Sequence, residues 1–454
     1  MPDTDTRPAR TRDRAARRGS VRIATKTIGA LALLQVALPA NLALTAAALV
    51  RASVVKSPRR RALEPKTILV SGGKMTKSLQ LARSFHSAGH RVVMVESHKY
   101  RFTGHRFSRA VDRFYTVPPP QSPDYTAALV DIVRREGVDV YVPVCSPAAS
   151  YYDALARPAL SEFCEVLHGD ADLISTLDDK YEFTTLAAKL GLPVPDGYRI
   201  DDPAEVAAFD FDATDADYIL KSIPYDPVNR MDLTTLPRPT RAGTAAFARS
   251  KPISPENPWI MQGLVRGQEY CTHSTVRDGQ VQVFCCCESS PFQVNYEMVD
   301  KPEIEAWVAQ FVEPLRLTGQ VSFDFIQSDD GVVYAIECNP RTHSAITMFY
   351  NHPGLADAYL NQSATPITPL PTSRPTYWLY HELWRLLTQP RQLGPRLGVI
   401  RRGHDAIFDW HDPLPFLMVH HVQIPWLLLL NLRHGRDWLR IDFNIGKLVE
   451  PAGD

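Results

Sequence analysis

The segment VSFDFIQSDDGVVYAIECNPRTHS, residues 321–344, decides how the chain is interpreted. Two runs rich in β-branched and aromatic residues flank Asp330-Gly331, a dipeptide typical of a two-residue hairpin turn. That turn would place Asp324 directly opposite Glu337 on the neighbouring strand. A three-residue turn would instead move Asp324 to the other face, so the turn length decides whether the two carboxylates meet.

The predicted hairpin carries metal-ligand side chains on one face. Asn339 shares the face of Glu337 because strand residues alternate sides, whereas Phe323 and Phe325 would face a core. Two carboxylates opposed across a sheet repel each other, so a cation is expected between them. Mg²⁺ takes one or two carboxylates and completes its shell with phosphate and water. A solvated face with unrelated acids is the weaker interpretation, since it does not require Asn339.

A magnesium site of this kind implies a polyphosphate and cations that bind it. Lys180 begins a predicted helix, where free N–H groups already favour anions. Lys221 lies in the predicted strand DYILKS, and each lysine alone is more often an ordinary surface residue. The apolar strand PWIMQG breaks at Gly263, which can expose backbone groups to an adenine edge. Glu269, a little further on, is a candidate acceptor for ribose hydroxyls.

Length and composition limit the remaining interpretations. With 454 residues the chain can form more than one domain, because single cores stop growing at about 250–300 residues. Lysine plus arginine balances aspartate plus glutamate at 50 each, so no nucleic-acid partner is expected. Seven cysteines without paired spacing indicate a reducing compartment. Cys271 and His273 share a predicted strand face, where small buried thiols are favoured over a metal site.

The N-terminus is first basic and then apolar. Residues 1–26 contain eight basic and three acidic residues and are predicted to be a disordered arm. Residues 27–50 carry no charge and are long enough to cross a bilayer. Three interpretations stay open for them: a membrane span or surface anchor, a helix packed on the body, and a cleaved signal peptide. We expect a cytoplasmic protein that this helix can tether to the inner face of the cell membrane.

Residues 66–165 alternate strands and helices in the order of a parallel α/β domain. Its first turn, SGGKMTK at residues 71–77, lacks the spacing of the common nucleotide-binding loops, but such turns bind other ligands where the strands of open sheets end. Polar loop residues at these strand ends and beyond the hairpin are therefore weak substrate-binding candidates. They are Ser71, Gly72, Lys74, His98, His105, Arg106, Ser146, His343 and Ser344.

The order DDK, ILK, a hydrophobic hinge ending in GxE, and an aspartate followed by ExNPR resembles the ATP-grasp superfamily over residues 169–350. The resemblance implies that Lys180 and Lys221 contact ATP phosphates and that Arg341 steadies a phosphorylated intermediate, with Lys221 and Arg341 as catalytic residues. It also implies two Mg²⁺ ions, replaceable by Mn²⁺. The implied metal ligands are Asp324, Glu337 and Asn339.

The same resemblance implies the nucleotide contacts. Gln262, Gly263 and Val265 would border the adenine, and Glu269 would hold the ribose. The chain departs from the family in the loop after Lys221, SIPYDPVNRMDL, which lacks the usual glycines. How this loop would cover the phosphates is therefore left open.

Longer phrases resemble the ATP-grasp ligases of mycosporine biosynthesis, among them HKYRFTGHRFSRAVDRFYTVPPPQ and CCCESSPFQVNYE. This resemblance runs from residue 66 to residue 360 and implies an ATP-dependent C–N ligase. Such an enzyme phosphorylates the enol oxygen of 4-deoxygadusol and joins it to glycine, giving mycosporine-glycine, ADP and phosphate. The alternative is a carboxylate–amine ligase for another small acid and amino acid. A tethered nucleotide-binding protein without turnover is the competing class, which the complete acidic set argues against.

The predicted fold combines α/β and α+β parts: an ATP-grasp fold preceded by a parallel α/β domain like that of biotin carboxylase, with an apolar N-terminal helix. The ATP-grasp domain would contain a nucleotide-clamping module at about 180–262 and a metal-binding part at about 263–350. The predicted boundaries are 1–26, 27–50, 66–165, 166–355 and, for a mixed C-terminal region, 356–454.

Overall fold

The computed structural model describes residues 9–55, 59–144, 146, 149–224, 226, 228–229, 232–289 and 295–451, with side chains from residue 21 onward. Its first element is one long helix, α1 (Ala9–Val54). The predicted disorder is therefore wrong for residues 9–26, where alanine and arginine, both strong helix formers, continue the apolar helix toward the N-terminus. Residues 1–8 lie outside the described range.

One stripe of α1 packs against the C-terminal part of the chain. Its spacings of seven, four and three residues place the buried side chains on a single helix face. They are Thr27, Leu34, Asn41, Thr45 and Ala48. Asn41 Nδ2 donates to the Tyr380 hydroxyl at 3.0 Å, which adds a polar contact to this seam. The packing agrees with the interpretation of a helix on the body, and the opposite side of α1 stays exposed.

Five parallel strands form the first sheet, in the order β3-β2-β1-β4-β5. Its elements are β1 (Thr67–Val70), α2 (Thr76–Ser87), β2 (Arg91–Ser97), β3 (Arg113–Val117), α3 (Tyr125–Glu136), β4 (Val140–Val142), α4 (Ser150–Leu160) and β5 (Glu165–Val166). The central strands are apolar runs buried on both faces, as expected for a parallel sheet between helices. The predicted parallel α/β domain is confirmed, and its strands end along one common edge.

A small antiparallel sheet follows, in the order β6-β9-β7-β8. Its elements are α5 (Ala171–Asp178), α6 (Lys180–Lys189), β6 (Gly197–Ile200), α7 (Pro203–Ala208), β7 (Tyr218–Ser222), β8 (Thr235–Leu236), α8 (Arg241–Arg249) and β9 (Trp259–Gly263). The Asp179 carboxylate caps α6 by accepting from the backbone N–H groups of Tyr181 and Glu182 at 2.8 and 3.0 Å. The cap fixes Lys180 in the first turn of that helix.

The third sheet has the order β11-β10-β13-β14 and carries the hairpin predicted above. This part contains β10 (Gly267–Arg277), β11 (Gln280–Glu288), β12 (Asn295–Tyr296), α9 (Pro302–Val312), β13 (Gly319–Ser328) and β14 (Val333–Asn339). Phe323 and Phe325 point away from the carboxylates and pack with Trp307 of α9 at ring separations of 5.4 and 5.2 Å. The predicted core face is therefore confirmed, and it holds the hairpin rigidly.

The C-terminal region closes the body with short elements. They are α10 (Leu355–Leu360), β15 (Thr376–Tyr377), α11 (Leu379–Thr388), α12 (Leu393–Arg402), β16 (His404–Asp405), α13 (Leu414–Met418), α14 (Ile424–Arg433), β17 (Arg440–Asp442) and β18 (Lys447–Val449). A π-helical turn, Val419–Gln423, joins α13 to α14. By length and composition, two helices in the described part could cross a membrane, Val21–Val54 and Leu414–Arg433, and the second is more than half buried.

Candidate active site

The β13–β14 hairpin places Asp324 opposite Glu337, as predicted, but it does so in a different way. The turn has three residues, 329–331, and its last residue, Gly331, takes the left-handed conformation with φ 88°. The predicted two-residue turn is therefore wrong. A β-bulge at Ile336 adds one residue to β14 and restores the alignment of the two carboxylates. Turn and bulge together produce the register that the sequence assigned to the turn alone.

Acidic charge accumulates between the two strands. Burial, followed by the charge of Glu337, raises the pKa of Asp324 to about 7. Asn339 lies on the same face and its Nδ2 donates to Asp324 Oδ2 at 3.5 Å. Lys180 approaches from the first turn of α6, with Nζ 3.5 Å from Glu337 Oε1. The two opposed carboxylates and the amide thus place several oxygen donors beside this lysine.

The donor set fits Mg²⁺ better than a soft metal. Across the described residues, no three or more His, Cys, Asp and Glu side chains group together as a metal site. Two carboxylates and one amide are oxygen donors, and Mg²⁺ accepts so few protein ligands when phosphates and water complete its shell. The raised pKa of Asp324 agrees with this, because a bound divalent cation would stabilise the ionised carboxylate.

Lys221 reaches the hairpin from the small sheet. Its Nζ donates to Gln262 Oε1 at 3.2 Å, and Gln262 Nε2 donates to the carbonyl oxygen of the bulged Ile336 at 3.2 Å. Burial lowers the pKa of Lys221, and the charge of Glu337 opposes that shift. The Gln262 side chain is thus engaged between Lys221 and the bulge, and its backbone lies in β9 between two neighbouring strands.

The predicted break in the hinge strand is present. Strand β9 ends at Gly263, and Val265 lies in the connection to β10. Glu269 is the third residue of β10. Its Oε1 accepts from Ser289 Oγ at 2.9 Å. Its negative charge is among those that raise the pKa of Asp324, so it belongs to the same electrostatic site. The adenine and ribose contacts of these residues remain predictions.

Arg341 lies just beyond the hairpin. One end of its guanidinium donates to Asp178 Oδ1 at 3.1 Å, and the other donates to Asn339 Oδ1. Asp178 ends α5, directly before the cap of α6, so Arg341 connects the lysine-bearing helix to the metal-binding strand. This position is suitable for a cation that meets a phosphate transferred from ATP.

The loop that carries Arg341 is bound to the parallel α/β domain on both sides. Ser150 Oγ, at the start of α4, donates to the Pro340 carbonyl oxygen at 2.7 Å. Lys77 Nζ, in the first turn of α2, donates to the Thr342 carbonyl oxygen. These contacts join the strand-end edge of the parallel sheet to the β13–β14 hairpin.

A cavity of about 170 Å³ lies at that strand-end edge. Of the nine predicted substrate residues it brings together four, Ser71, Gly72, Lys74 and Ser146. Lys74 Nζ lies 3.5 Å from Glu96 Oε1, and the Lys74 backbone N–H donates to Glu96 Oε2 at 2.8 Å. The charge of Lys74 is thus balanced by a carboxylate of the cavity wall.

Sequence reasoning missed the acids and phenols of this cavity. Glu96, Tyr100 and Tyr125 line it together with Asp153, whose Oδ1 accepts from the Tyr125 hydroxyl at 2.7 Å. For Glu96 a signal was available, because an acid near the end of the buried strand RVVMVES is unusual. Asp153 and Tyr125 come from helices that only the folded sheet brings together.

Three predicted substrate residues lie elsewhere. His98 and Arg106 are exposed and do not line the cavity. His105 is fully buried, with Nδ1 2.9 Å from the Gly73 carbonyl oxygen, and burial lowers its pKa to about 3. Neutral His105 therefore supports the turn of residues 71–77 from behind.

The remaining two predicted substrate residues, His343 and Ser344, follow Arg341 in the chain and contact β10 and the C-terminal region. The His343 backbone N–H donates to His273 Nδ1 at 3.2 Å, and Ser344 Oγ accepts from Asn444 Nδ2 at 2.7 Å. Burial lowers the pKa of His343 to about 3, so its ring is neutral. Cys271, on the same strand as His273, is buried as predicted. Both predicted loop residues are thus held by neighbouring elements.

Two predictions fall partly outside the described residues. The loop after Lys221 includes residues 225, 227 and 230–231, which the structure does not describe, so the way it covers the phosphates stays open. Residues 290–294 of the phrase CCCESSPFQVNYE are likewise not described.

Comparisons with known proteins place the fold. The chain superposes on the ADP complex of purK, N5-carboxyaminoimidazole ribonucleotide synthetase, with a TM-score of 0.54 and 14% identity over 74% of this chain and 88% of that one. It also resembles N5-carboxyaminoimidazole synthetase from Staphylococcus aureus with ADP (TM-score 0.51, 14% identity, 70% and 82% covered). It resembles the β-γ-ATP complex of biotin carboxylase from Campylobacter jejuni with a TM-score of 0.52 and 13% identity, over 66% of this chain and 72% of that one. Neither protein-family models nor curated proteins give a match.

These similarities establish the class of fold. The chain has an ATP-grasp fold preceded by a parallel α/β domain, as the sequence predicted. At 13–14% identity the similarity concerns the fold, and the reaction has to be argued from the side chains of the site.

Proposed function

We propose that the chain is an ATP-dependent ligase that forms a C–N bond. The observation that carries this proposal is the opposed pair Asp324 and Glu337, with Lys180 3.5 Å from the second carboxylate. A protein that only bound a nucleotide would have little use for two carboxylates facing each other beside partly buried lysines. The shared fold with ADP- and ATP-complexed structures supports the nucleotide.

In this proposal Asp324, Glu337 and Asn339 would hold one or two Mg²⁺ ions, with Mn²⁺ as a substitute. Bound there, the metal would supply charge neutralisation to the ATP phosphates. Lys180 and Lys221 would bind the phosphate oxygens, which suits a reaction that depends on positioning and charge.

Arg341 would act on the group that is transferred. Its planar guanidinium can meet two oxygens of a phosphorylated intermediate at once, which a lysine ammonium cannot. Asp178 and Asn339 orient the guanidinium from two directions. Arg341 is therefore pre-positioned beside the predicted metal ligands.

The substrate pair we propose is 4-deoxygadusol and glycine. An enolised 1,3-diketone is a vinylogous acid whose enol oxygen is a poor leaving group. Transfer of the γ-phosphoryl group to that oxygen would release ADP and create an enol phosphate. The glycine amine would then add to the ring carbon and lose a proton while the C–O bond breaks and phosphate leaves, giving mycosporine-glycine.

The cavity supports an acceptor without a phosphate group. Of its two lysines, Lys74 is paired with Glu96 at 3.5 Å and Lys99 lies 4.0 Å from Glu450. The other polar groups of its wall are hydroxyls, the Gln121 amide and a second acid, Asp153. Such a wall offers hydrogen-bond partners to ring hydroxyls and disfavours a phosphate ester. We assign the acceptor ring to this cavity.

A carboxylate–amine ligase acting on another small acid and amino acid is the alternative, because the same ATP site would serve it. The test is incubation of the purified protein with ATP, Mg²⁺, 4-deoxygadusol and glycine. Mass spectrometry should show a glycine adduct, formed together with one ADP and one phosphate. ADP formation that requires a different acid would favour the alternative, and ADP formation with no acceptor of either kind would contradict a ligase.

We also propose that α1 brings the enzyme to a membrane surface. The side of α1 opposite the buried stripe is apolar, and Val36 on it is 80% exposed. Because the buried stripe covers residues 27–48, about 30 Å of helix lies along the body, which favours contact in the plane of a bilayer over crossing it.

A further inference from the structure

A second apolar surface adjoins α1, on the helical hairpin formed by α11 and α12. Tyr380, in the first turn of α11, contacts α1 through Asn41. Leu383, Trp384 and Leu387 follow it at three, four and seven residues, so they continue the same helix face away from α1. Their exposure reaches 55% for Trp384 and 71% for Leu387.

The next helix extends this surface. Leu393 and Leu397, one turn apart on α12, are both about half exposed. Glu382, on the inner side of α11, is buried and pairs with Arg385 and Arg396 at 3.3 and 3.4 Å. The ion pairs hold α12 against α11, so the exposed apolar residues belong to a fixed hairpin and not to a loose tail.

The exposed charges that α11 and α12 carry are basic. Residues 379–402 contain five arginines and a single acid, the buried Glu382. Arg391, Arg401 and Arg402 are exposed at the turn and at the end of α12. The α1 side is similar, because no acidic residue occurs between Asp13 and Glu64, while that stretch contains ten lysines and arginines. Apolar side chains with a basic border are the pattern of interfacial helices on anionic lipid.

We propose that the outer face of α1 and the α11–α12 hairpin form one docking surface for an anionic lipid bilayer. Leu383, Trp384 and Leu387 would enter the headgroup region, where tryptophan is favoured, and the arginines would meet lipid phosphates. The proposal rests on the contact of α1 with a membrane and adds a second, independent element to it. Lipid phosphate is the partner chosen because the exposed charges of α11 and α12 are all basic, whereas a copy of the same basic surface would be repelled.

The test measures sedimentation of the full chain with vesicles of phosphatidylglycerol and phosphatidylcholine, and with phosphatidylcholine alone. We expect binding to the anionic vesicles only, weakened by salt. Trp384→Ser with Leu387→Ser should reduce affinity at least about tenfold. Charge reversal at Arg391, Arg401 and Arg402 should reduce it about a hundredfold. None of these substitutions touches the Glu382 ion pairs.

The matched control is Leu155→Ser with Phe163→Ser, two similarly exposed apolar residues of the parallel α/β domain, which should leave binding unchanged. Circular dichroism checks that every variant is folded. One contrary result is that Val36→Glu on α1 abolishes binding while both sets of α11–α12 substitutions leave it normal. That result would overturn the role of the α11–α12 hairpin and leave the α1 contact in place.

Two further results would also overturn the proposal. If the full chain bound neither the anionic nor the phosphatidylcholine vesicles, both the α11–α12 contact and the α1 contact with a membrane would be rejected. A dimer in solution that Trp384→Ser with Leu387→Ser dissociates would show instead that this surface joins two copies of the chain. Vesicle binding is measured without substrates, so a failure of the proposed ligation would leave the result unaffected.

Discussion

Two edges of this protein carry acids that face other charged groups, and their charges are arranged in opposite ways. On the β13–β14 hairpin Asp324 faces Glu337, and burial with this neighbour raises the pKa of Asp324 to about 7. At the edge of the parallel sheet Glu96 is already matched by Lys74 and by a backbone N–H. The opposed oxygen donors of the first edge suit an added divalent cation, whereas the paired charges of the second suit an uncharged polar ring. In the proposed function the first edge is the nucleotide–metal site and the second is the acceptor site.

The proposed metal site on the β13–β14 hairpin depends most strongly on Glu337. We expect Glu337→Gln to lower ADP formation at least about 100-fold, because the substitution removes the charge opposite Asp324 that would help to hold the metal. The assay is ADP and phosphate release as a function of Mg²⁺ concentration. Glu256→Gln, at an exposed loop acid, is the control and should behave like the parent protein. Near-parental activity of Glu337→Gln would reject the metal role.

The sequence predicted the residues of the hairpin edge better than those of the parallel-sheet edge. Asp324 and Glu337 lie in one short segment, so a local register argument could bring them together. That argument succeeded although it missed both the three-residue turn and the bulge at Ile336, whose effects on the alignment cancel. The bulge has no sequence signal of its own, because the Ile336 carbonyl is engaged by Gln262, which comes from another sheet.

The acceptor edge was predictable only in part. Strand-end reasoning found Ser71, Lys74 and Ser146, which the fold does bring to one cavity. It selected His105 equally, because a histidine in a polar loop gives the same signal whether it binds a ligand or a carbonyl oxygen. Only packing shows that His105 is buried against Gly73. Long-range partners such as Asp153 require the three-dimensional sheet.

The opposed carboxylates should also cost stability when no metal is present. Asp324→Asn removes a carboxyl whose folded pKa is about 7, above its usual range, so the wild-type protein is penalised where that group is ionised. We expect the variant to be more stable by about 1–3 kcal/mol in EDTA at pH 8, measured by urea unfolding. The advantage should fade as the pH falls from 7 toward 4, because Asp324 is protonated in the folded state over this range and the unfolded state becomes protonated only near its own pKa of 3.8.

Asp329→Asn, at the exposed hairpin turn, provides the comparison and should show no such pH-dependent gain. Equal stability of Asp324→Asn and the parent protein at pH 8 would mean that the two carboxylates do not repel each other, and the contrast between the edges would lose its electrostatic basis.

A change at the acceptor edge should be milder. Glu96→Gln leaves Lys74 without its carboxylate at 3.5 Å and alters one hydrogen-bonding wall of the cavity. We expect kcat/KM for the acceptor to fall about tenfold while the KM for ATP is unchanged, since the loss concerns one charged hydrogen bond. Steady-state kinetics with each substrate varied would check this, and Glu162→Gln on the surface is the control. A changed KM for ATP alone would place Glu96 on the nucleotide side.

The smallest expected effect concerns the turn that holds the opposed acids. Gly331 has φ 88°, and a Cβ added there would meet no atom within 4 Å, so Gly331→Ala should cost only backbone strain, about 1 kcal/mol. Gly394→Ala in α12 has equally open space but a helical backbone and should stabilise by about 0.5–1 kcal/mol. Urea unfolding distinguishes the two. If Gly331→Ala were also stabilising, the turn would adopt another conformation, and the compensation between turn and bulge that aligns Asp324 with Glu337 would have to be abandoned.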